Sequence, residues 1–171
     1  SDEVDSDEPR KLQDLSNKKS VTSNWKLSFS GNNALGNFVP AFSGNNIFFS
    51  DASGLTMSVD LISGSTNWEI QSNFLSTGIS AGFGILVIAD IDGNIIALDQ
   101  ENGSTIWSQN VMGEVLATPA IDAQFVIVKT GSGELLALDK STGKTKWSYR
   151  SKLPALTIRG SSSPVIYENQ V

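Results

Sequence analysis

The chain of 171 residues is acidic, with a formal net charge of −6 at pH 7, and it contains neither Cys nor His. The charge disfavours nucleic acid and anionic bilayers as partners, because the average field of the protein repels polyanions. The missing residue types exclude thiol nucleophiles, histidine bases, disulfides and thiolate metal sites. No apolar run approaches the ~18 residues of a membrane span and no signal peptide opens the sequence, so the chain is expected to be cytoplasmic or to have lost a targeting segment.

Residues 1–23 are predicted to be an acidic, flexible tail. Five of the first eight residues are Asp or Glu, and apolar side chains are sparse throughout the segment. Such a segment buries too little apolar surface to offset the entropy lost on ordering.

From residue 24 onward the sequence repeats with a period of about 40 residues. Four tryptophans mark the repeat: Trp25, Trp68, Trp107 and Trp147. The last three are each preceded, at fixed distances, by an Asp and a Gly: Asp60 and Gly64, Asp99 and Gly103, Asp139 and Gly143. We expect the Asp to accept hydrogen bonds from turn amides and the Gly to adopt the left-handed conformation. All ten residues are therefore predicted to be structural.

Each repeat contains four short strand patterns. Apolar runs at residues 47–49, 85–88 and 125–128 are too short for helices and fit buried strands, and each is followed by a Gly-containing hairpin turn. The next strand ends at the repeat Asp, and the outermost strand carries the Trp. Four strands per ~40 residues predict an all-β fold, a β-propeller with blades at about 38–71, 77–110 and 116–150. A continuous β-sandwich is the alternative.

Both ends of the repeat region are predicted to be parts of further blades. Residues 24–30 form an orphan outer strand around Trp25, and residues 163–171 open a fourth blade. Closure of a propeller ordinarily needs ~4–8 blades, so residues 24–171 are expected to form an incomplete propeller with exposed sheet edges.

One connection departs from the repeat. Residues 151–162 make the link after Trp147 five residues longer than the link after Trp107, and they contain three large apolar residues, Leu153, Leu156 and Ile158. Residues 140–159 contain six basic residues and no acidic one. Apolar clusters on loops often mark contact sites, so this loop is predicted to bind a partner. The alternative is that it folds back over a blade edge.

The Asp, Gly and Trp frame resembles the tryptophan-docking motif of pyrroloquinoline-quinone-type (PQQ-type) propellers. Residues 35–38, residues 153–160 and Pro164 further resemble the BamB family, lipoproteins of the outer-membrane β-barrel assembly (BAM) machinery. The resemblance implies a non-enzymatic, eight-bladed scaffold without cofactor or metal, located at the periplasmic face of the outer membrane. It implies an N-terminal lipid as the only membrane contact, although the lipid-bearing Cys is absent from this chain.

The same resemblance implies the partners. They are the POTRA domains of the barrel-inserting subunit, with unfolded outer-membrane proteins as further partners. The family's Leu-x-Leu-Arg contact motif corresponds to Leu156, Ile158 and Arg159, with Ile replacing one Leu.

Two alternatives belong to other classes of function. A PQQ-dependent dehydrogenase uses the same docking motif. Such enzymes typically contain a vicinal Cys pair, and this chain contains no Cys. A generic PQQ-repeat binding or sensor propeller would need no Leu-x-Ile-Arg-Gly loop. The run from Asp90 to Gly93 lacks the remaining ligands of a calcium loop.

Overall fold

The computed structural model describes residues 23–28, 38–150 and 162–167. Twelve strands form three four-stranded antiparallel sheets, here called blades 1 to 3. Blade 1 comprises β1 (Ala41–Ser43), β2 (Asn46–Ser50), β3 (Leu55–Asp60) and β4 (Thr66–Gln71). Blade 2 comprises β5 (Ser80–Gly82), β6 (Ile85–Ala89), β7 (Asn94–Asp99) and β8 (Thr105–Asn110). Blade 3 comprises β9 (Ala120–Ile121), β10 (Phe125–Lys129), β11 (Glu134–Asp139) and β12 (Thr145–Arg150).

The strands of each blade follow one another in chain order, joined by tight turns. The three first strands are neighbours in space, β1 beside β5 and β5 beside β9, so the blades share an inner edge and carry their tryptophans on the outermost strands. This arrangement confirms the predicted all-β propeller architecture. The described residues contain no helix that could span a membrane.

The core lies between the blades, which explains why β6 is apolar at every position. Successive side chains of a strand point to opposite faces of the sheet. Leu86 and Ile88 pack towards blade 1 in one cluster, which includes Phe48, whereas Ile85, Val87 and Ala89 pack towards blade 3 in another. A central strand with neighbours on both faces therefore needs a continuous apolar run.

The outer strand of each blade carries the same irregularity. Pairing between the third and fourth strands shifts by one residue directly after the position opposite the Trp. That position holds a small residue that is fully buried: Ser58 opposite Trp68, Ala97 opposite Trp107 and Ala137 opposite Trp147. This small residue, which stands two positions before the repeat Asp, thus makes room for an indole on the adjacent strand.

The segments flanking the blades are short. Residues 23–28 lie along blade 1 outside its four strands, and Trp25 and Leu27 pack against the cluster of Ile47, Met57 and Val59. Residues 162–167 alternate in exposure, with Pro164 and Ile166 the less exposed. The predicted tail and the predicted contact loop lie outside the described residues, apart from Ser23 and Ser162.

Candidate functional site

Neighbouring blades are joined by tryptophans that dock on the next blade. The indole Nε1 of three of the four tryptophans donates a hydrogen bond to a backbone carbonyl in the turn before the outermost strand of the blade that receives it. The pairs are Trp25 with Leu61 at 2.9 Å, Trp68 with Gln100 at 2.9 Å and Trp107 with Lys140 at 2.7 Å. A buried indole N–H needs such an acceptor, so the bond fixes the ring on the turn.

The repeat glycines provide the surface on which the rings lie. Gly64, Gly103 and Gly143 have φ angles of +73°, +74° and +71°, in the left-handed region. A Cβ atom at these positions would lie 2.6, 2.7 and 2.5 Å from the docked ring of Trp25, Trp68 and Trp107, respectively. Both the backbone conformation and the close approach therefore require Gly.

The repeat aspartates stabilise the same turns. Each carboxylate accepts hydrogen bonds from backbone amides two and three residues later, for example Asp60 from Ile62 at 3.0 Å and Ser63 at 2.7 Å. The hydrogen bonds from Ser63 lower the pKa of Asp60. The Thr142 hydroxyl and the Lys146 ammonium lower the pKa of Asp139. Asp60 and Asp139 are therefore ionised at neutral pH and hold their turns by accepting hydrogen bonds.

Trp147 differs from the other repeat tryptophans. Its residue is 40% exposed, compared with 8% for Trp107, and no turn among the described residues receives its ring. All six residues of β12 are exposed. The outer part of blade 3 is therefore an open surface. In blades 1 and 2 the equivalent Trp is docked on the following blade.

The predicted contact residues Leu156, Ile158 and Arg159 lie outside the described residues. Two of the six basic residues at positions 140–159 pair with acidic residues earlier in the chain. Lys146 lies 3.2 Å from Asp139, and Arg150 lies 3.2 Å from Glu134 on the adjacent strand. Cross-strand pairing of this kind brings partners together that are far apart in sequence, so it could not be read from the run of residues 140–159 alone.

The run from Asp90 to Gly93 forms a hairpin turn. Asp90 is buried, and its carboxylate accepts hydrogen bonds from the amides of Asp92 and Asn94 and from the Asn94 side chain. In the equivalent turn of blade 1, the Asp51 carboxylate accepts hydrogen bonds from the amides of Ser53 and Leu55. Among the described residues, no group of three acidic side chains could hold a metal ion.

Sequence reasoning missed the acceptors of the indole bonds, because they are backbone carbonyls and any residue type can supply them. It also missed three exposed apolar residues, Phe74, Ile91 and Met112. The signal available for these was weak: each is a large apolar residue placed in a connector or turn.

Three blades, each of which receives a Trp on its Asp-x-x-x-Gly turn, define a β-propeller of PQQ-type repeats. The profile of a family described as "Outer membrane protein assembly factor BamB" matches residues 63–171. A protein of that name from Nitrosomonas eutropha is 31% identical over 123 residues, covering 71% of this chain and 30% of the relative. The chain therefore belongs to the BamB family, and it spans less than half the length of the curated relatives that it matches.

Solved structures agree on the fold. The crystal structure of BamB from Moraxella catarrhalis matches with a TM-score of 0.64 at 20% identity, over 78% of this chain and 44% of that one. A quinohemoprotein alcohol dehydrogenase from Comamonas testosteroni matches with a TM-score of 0.58 at 20% identity, over 67% of this chain and 20% of that one. Similarity at this level of identity reports on the propeller alone, because one fold carries many functions.

Proposed function

We propose that the protein is a non-enzymatic scaffold of the outer-membrane protein assembly machinery, acting at the periplasmic face of the outer membrane. The observation that carries this proposal is the family match, whose range of residues 63–171 includes the predicted contact loop, residues 151–162. The relatives bear the name of an assembly factor. In this proposal the chain contributes blades and one contact loop to a lipid-anchored propeller.

The proposed partner is the set of POTRA domains of the barrel-inserting subunit. Leu156 and Ile158 supply the apolar anchor of the contact, and Arg159 supplies a directional one. Interface energy concentrates in a few central side chains, and the planar guanidinium of Arg can make two parallel hydrogen bonds to a carboxylate. Lys144, which is exposed on the edge of blade 3, instead speeds the encounter with an acidic face.

A scaffold role is supported by what the polar and aromatic residues of the blades already do. The indoles of Trp25, Trp68 and Trp107 are engaged with neighbouring blades, and Asp60 and Asp139 are engaged with turn amides. A dehydrogenase would need aromatic and acidic groups available to a cofactor. The similarity to alcohol dehydrogenases is of fold alone and supports no second function.

The test is a titration of the full-length protein against isolated POTRA domains. Arg159→Ala should weaken binding by about 2 kcal/mol, close to 30-fold, mainly through faster dissociation. Lys144→Ala is the matched control: it should slow association, more so at low salt, and leave dissociation unchanged. The melting temperature should stay constant in both variants. If a Leu156→Ala, Arg159→Ala double variant bound with wild-type affinity, this assignment of the loop would be wrong.

A further inference from the structure

Three large apolar side chains are exposed at one end of the blades, where the connectors run from one blade to the next. Phe74 lies in the connector from blade 1 to blade 2, Ile91 in the turn between β6 and β7, and Met112 in the connector from blade 2 to blade 3. Their exposed fractions are 59%, 54% and 92%. None of them belongs to the apolar clusters between the blades.

Hydrogen bonds join the three segments that carry these residues. The amide of Ile91 donates to the carbonyl of Phe74 at 2.9 Å. On the other side of the turn, the Asn110 side chain donates to the carbonyl of Asp92 at 2.9 Å and accepts from the amide of Met112 at 2.8 Å. The turn of blade 2 is thus fixed to both connectors, and the three apolar residues form one row.

Met112 adopts an uncommon backbone conformation within this row. Its φ angle is +53°, in the left-handed region that residues other than Gly, Asn and Asp rarely enter. The conformation brings no burial, because the side chain is almost fully exposed. Residues held in such conformations cluster at active sites and ligand-binding sites. Phe83, in the turn between β5 and β6, also has a positive φ, so this angle adds to the case for the row and does not carry it alone.

The junction of blade 2 with blade 3 shows that Phe74 and Ile91 are not requirements of the fold. There the equivalent backbone bond, 2.7 Å long, joins the amide of Gly131 to the carbonyl of Glu114. Glu and Gly therefore occupy the positions that Phe74 and Ile91 occupy one blade earlier. Blade 3 therefore joins blade 2 without a large apolar residue at either position, so the packing of the blades does not account for Phe74 and Ile91.

The charges around the row have one sign. Residues 71–76, 90–94 and 110–115 contain three charged side chains, Asp90, Asp92 and Glu114, and no Lys or Arg. Asp90 is buried in its turn, whereas Asp92 and Glu114 are exposed. An apolar row flanked by exposed carboxylates attracts ligands that combine apolar and cationic groups.

We propose that Phe74, Ile91 and Met112 form a docking row for a peptide segment of another protein, one that carries apolar side chains together with Lys or Arg. Apolar side chains of the segment cover the row, and its cations lie against Asp92 and Glu114. This preference is opposite to that of the basic loop proposed above to meet an acidic face. The two proposals therefore fail or succeed independently.

The test is a fluorescence-anisotropy titration of the full chain with a labelled dodecapeptide of alternating Leu and Lys. Met112→Asn should weaken binding at least tenfold without lowering the melting temperature, because Asn tolerates the left-handed backbone. Phe74→Ser should also weaken binding at least tenfold. Glu114→Gln should weaken it severalfold, and the dissociation constant should rise with salt concentration.

Two controls separate this row from general stickiness. Ile62, an exposed apolar residue in the turn at the opposite end of blade 1, should tolerate Ile62→Ser with unchanged peptide affinity. A dodecapeptide with Glu in place of Lys should bind at least tenfold more weakly to the wild type. Equal binding of both peptides, or undiminished binding to a Phe74→Ser, Met112→Asn double variant, would overturn the proposal. So would sedimentation data showing that the row is covered by a second copy of the chain.

Discussion

The indole Nε1 of Trp107 on β8 donates a 2.7 Å hydrogen bond to the carbonyl of Lys140, which lies in the following blade. The same ring lies over Gly143, three residues further along that turn. One side chain thus supplies both a polar and an apolar contact across the gap between two sheets that share no strand. Trp147 is the equivalent residue of blade 3, and no such turn receives it in the described part of the chain. A docked and an undocked Trp can therefore be compared within one molecule.

Replacement of Trp107 by Ala should reduce the free energy of unfolding by roughly 3–5 kcal/mol, the usual loss for a large buried aromatic residue. Trp147→Ala should cost about 1 kcal/mol in the 171-residue chain, because that residue is 40% exposed. Urea unfolding of the two variants measures both values. A loss below about 1 kcal/mol for Trp107→Ala would contradict the docking role.

Two glycines allow the effect of ring contact on stability to be separated from that of backbone strain: Gly133, in the turn between β10 and β11, and the repeat glycine Gly103. Gly133→Ala should cost about 1 kcal/mol, since its φ is +81° but no atom lies within 4 Å of the added Cβ. Gly103→Ala carries the same strain and also places a methyl group 2.7 Å from the Trp68 ring. It should therefore cost a further ~1–3 kcal/mol from overpacking. Equal losses in thermal or urea unfolding would show that ring contact contributes nothing.

Much of the fold could be predicted because each blade is encoded locally. The turn Asp and Gly, the small residue and the Trp of one blade lie within about ten residues of one another, so they are visible as a spaced motif. The short, continuous apolar run of β6 predicted a buried strand, and the structure covers both of its faces with neighbouring blades. The order of the strands then follows from short connections that allow only antiparallel neighbours.

What the sequence did not predict depends on contacts between blades or on single backbone angles. The pairing of Lys146 with Asp139 arises because the strand register brings the two side chains together. The left-handed conformation of Met112 accompanies its hydrogen bond to Asn110. It could not be predicted from the sequence, because Met rarely adopts this conformation. The contact residues Leu156, Ile158 and Arg159 could be predicted only by family resemblance, because an exposed loop has no periodic pattern to read.

Acidification should destabilise the blades through Asp60 and Asp139. Hydrogen bonds to Ser63, and to Thr142 and Lys146, lower the pKa values of these carboxyls below the ordinary 3.8. A lowered folded-state pKa means that the stabilisation is fully present above the unfolded-state pKa and is lost as the pH falls through the folded-state pKa. A double variant with Asp60→Asn and Asp139→Asn should be less stable than the wild type at pH 7. The difference should shrink between about pH 4 and pH 2. Urea unfolding across this range is the measurement, and two parallel stability curves would show that these carboxyls do not contribute.

Ser50 and Thr56 are predicted to be sites where the removal of a hydroxyl stabilises the protein. The two residues are direct cross-strand partners on β2 and β3, and both are buried. Neither hydroxyl has a hydrogen-bond partner among the described residues. The matching pair in blade 2 is Ala89 and Ile95, which shows that this position accepts an apolar pair.

A buried hydroxyl without a partner costs about 1–3 kcal/mol relative to an apolar group of the same shape. Thr56→Val keeps the shape of the side chain, so it should raise the free energy of unfolding by about 1 kcal/mol, and Ser50→Ala should act in the same direction. Thr130→Val is the matched control, because its hydroxyl accepts a hydrogen bond from the Glu134 amide at 3.2 Å and should be needed. Urea unfolding should therefore rank Thr56→Val above the wild type and Thr130→Val below it. A loss of stability in Thr56→Val would mean that its hydroxyl makes a hydrogen bond in solution.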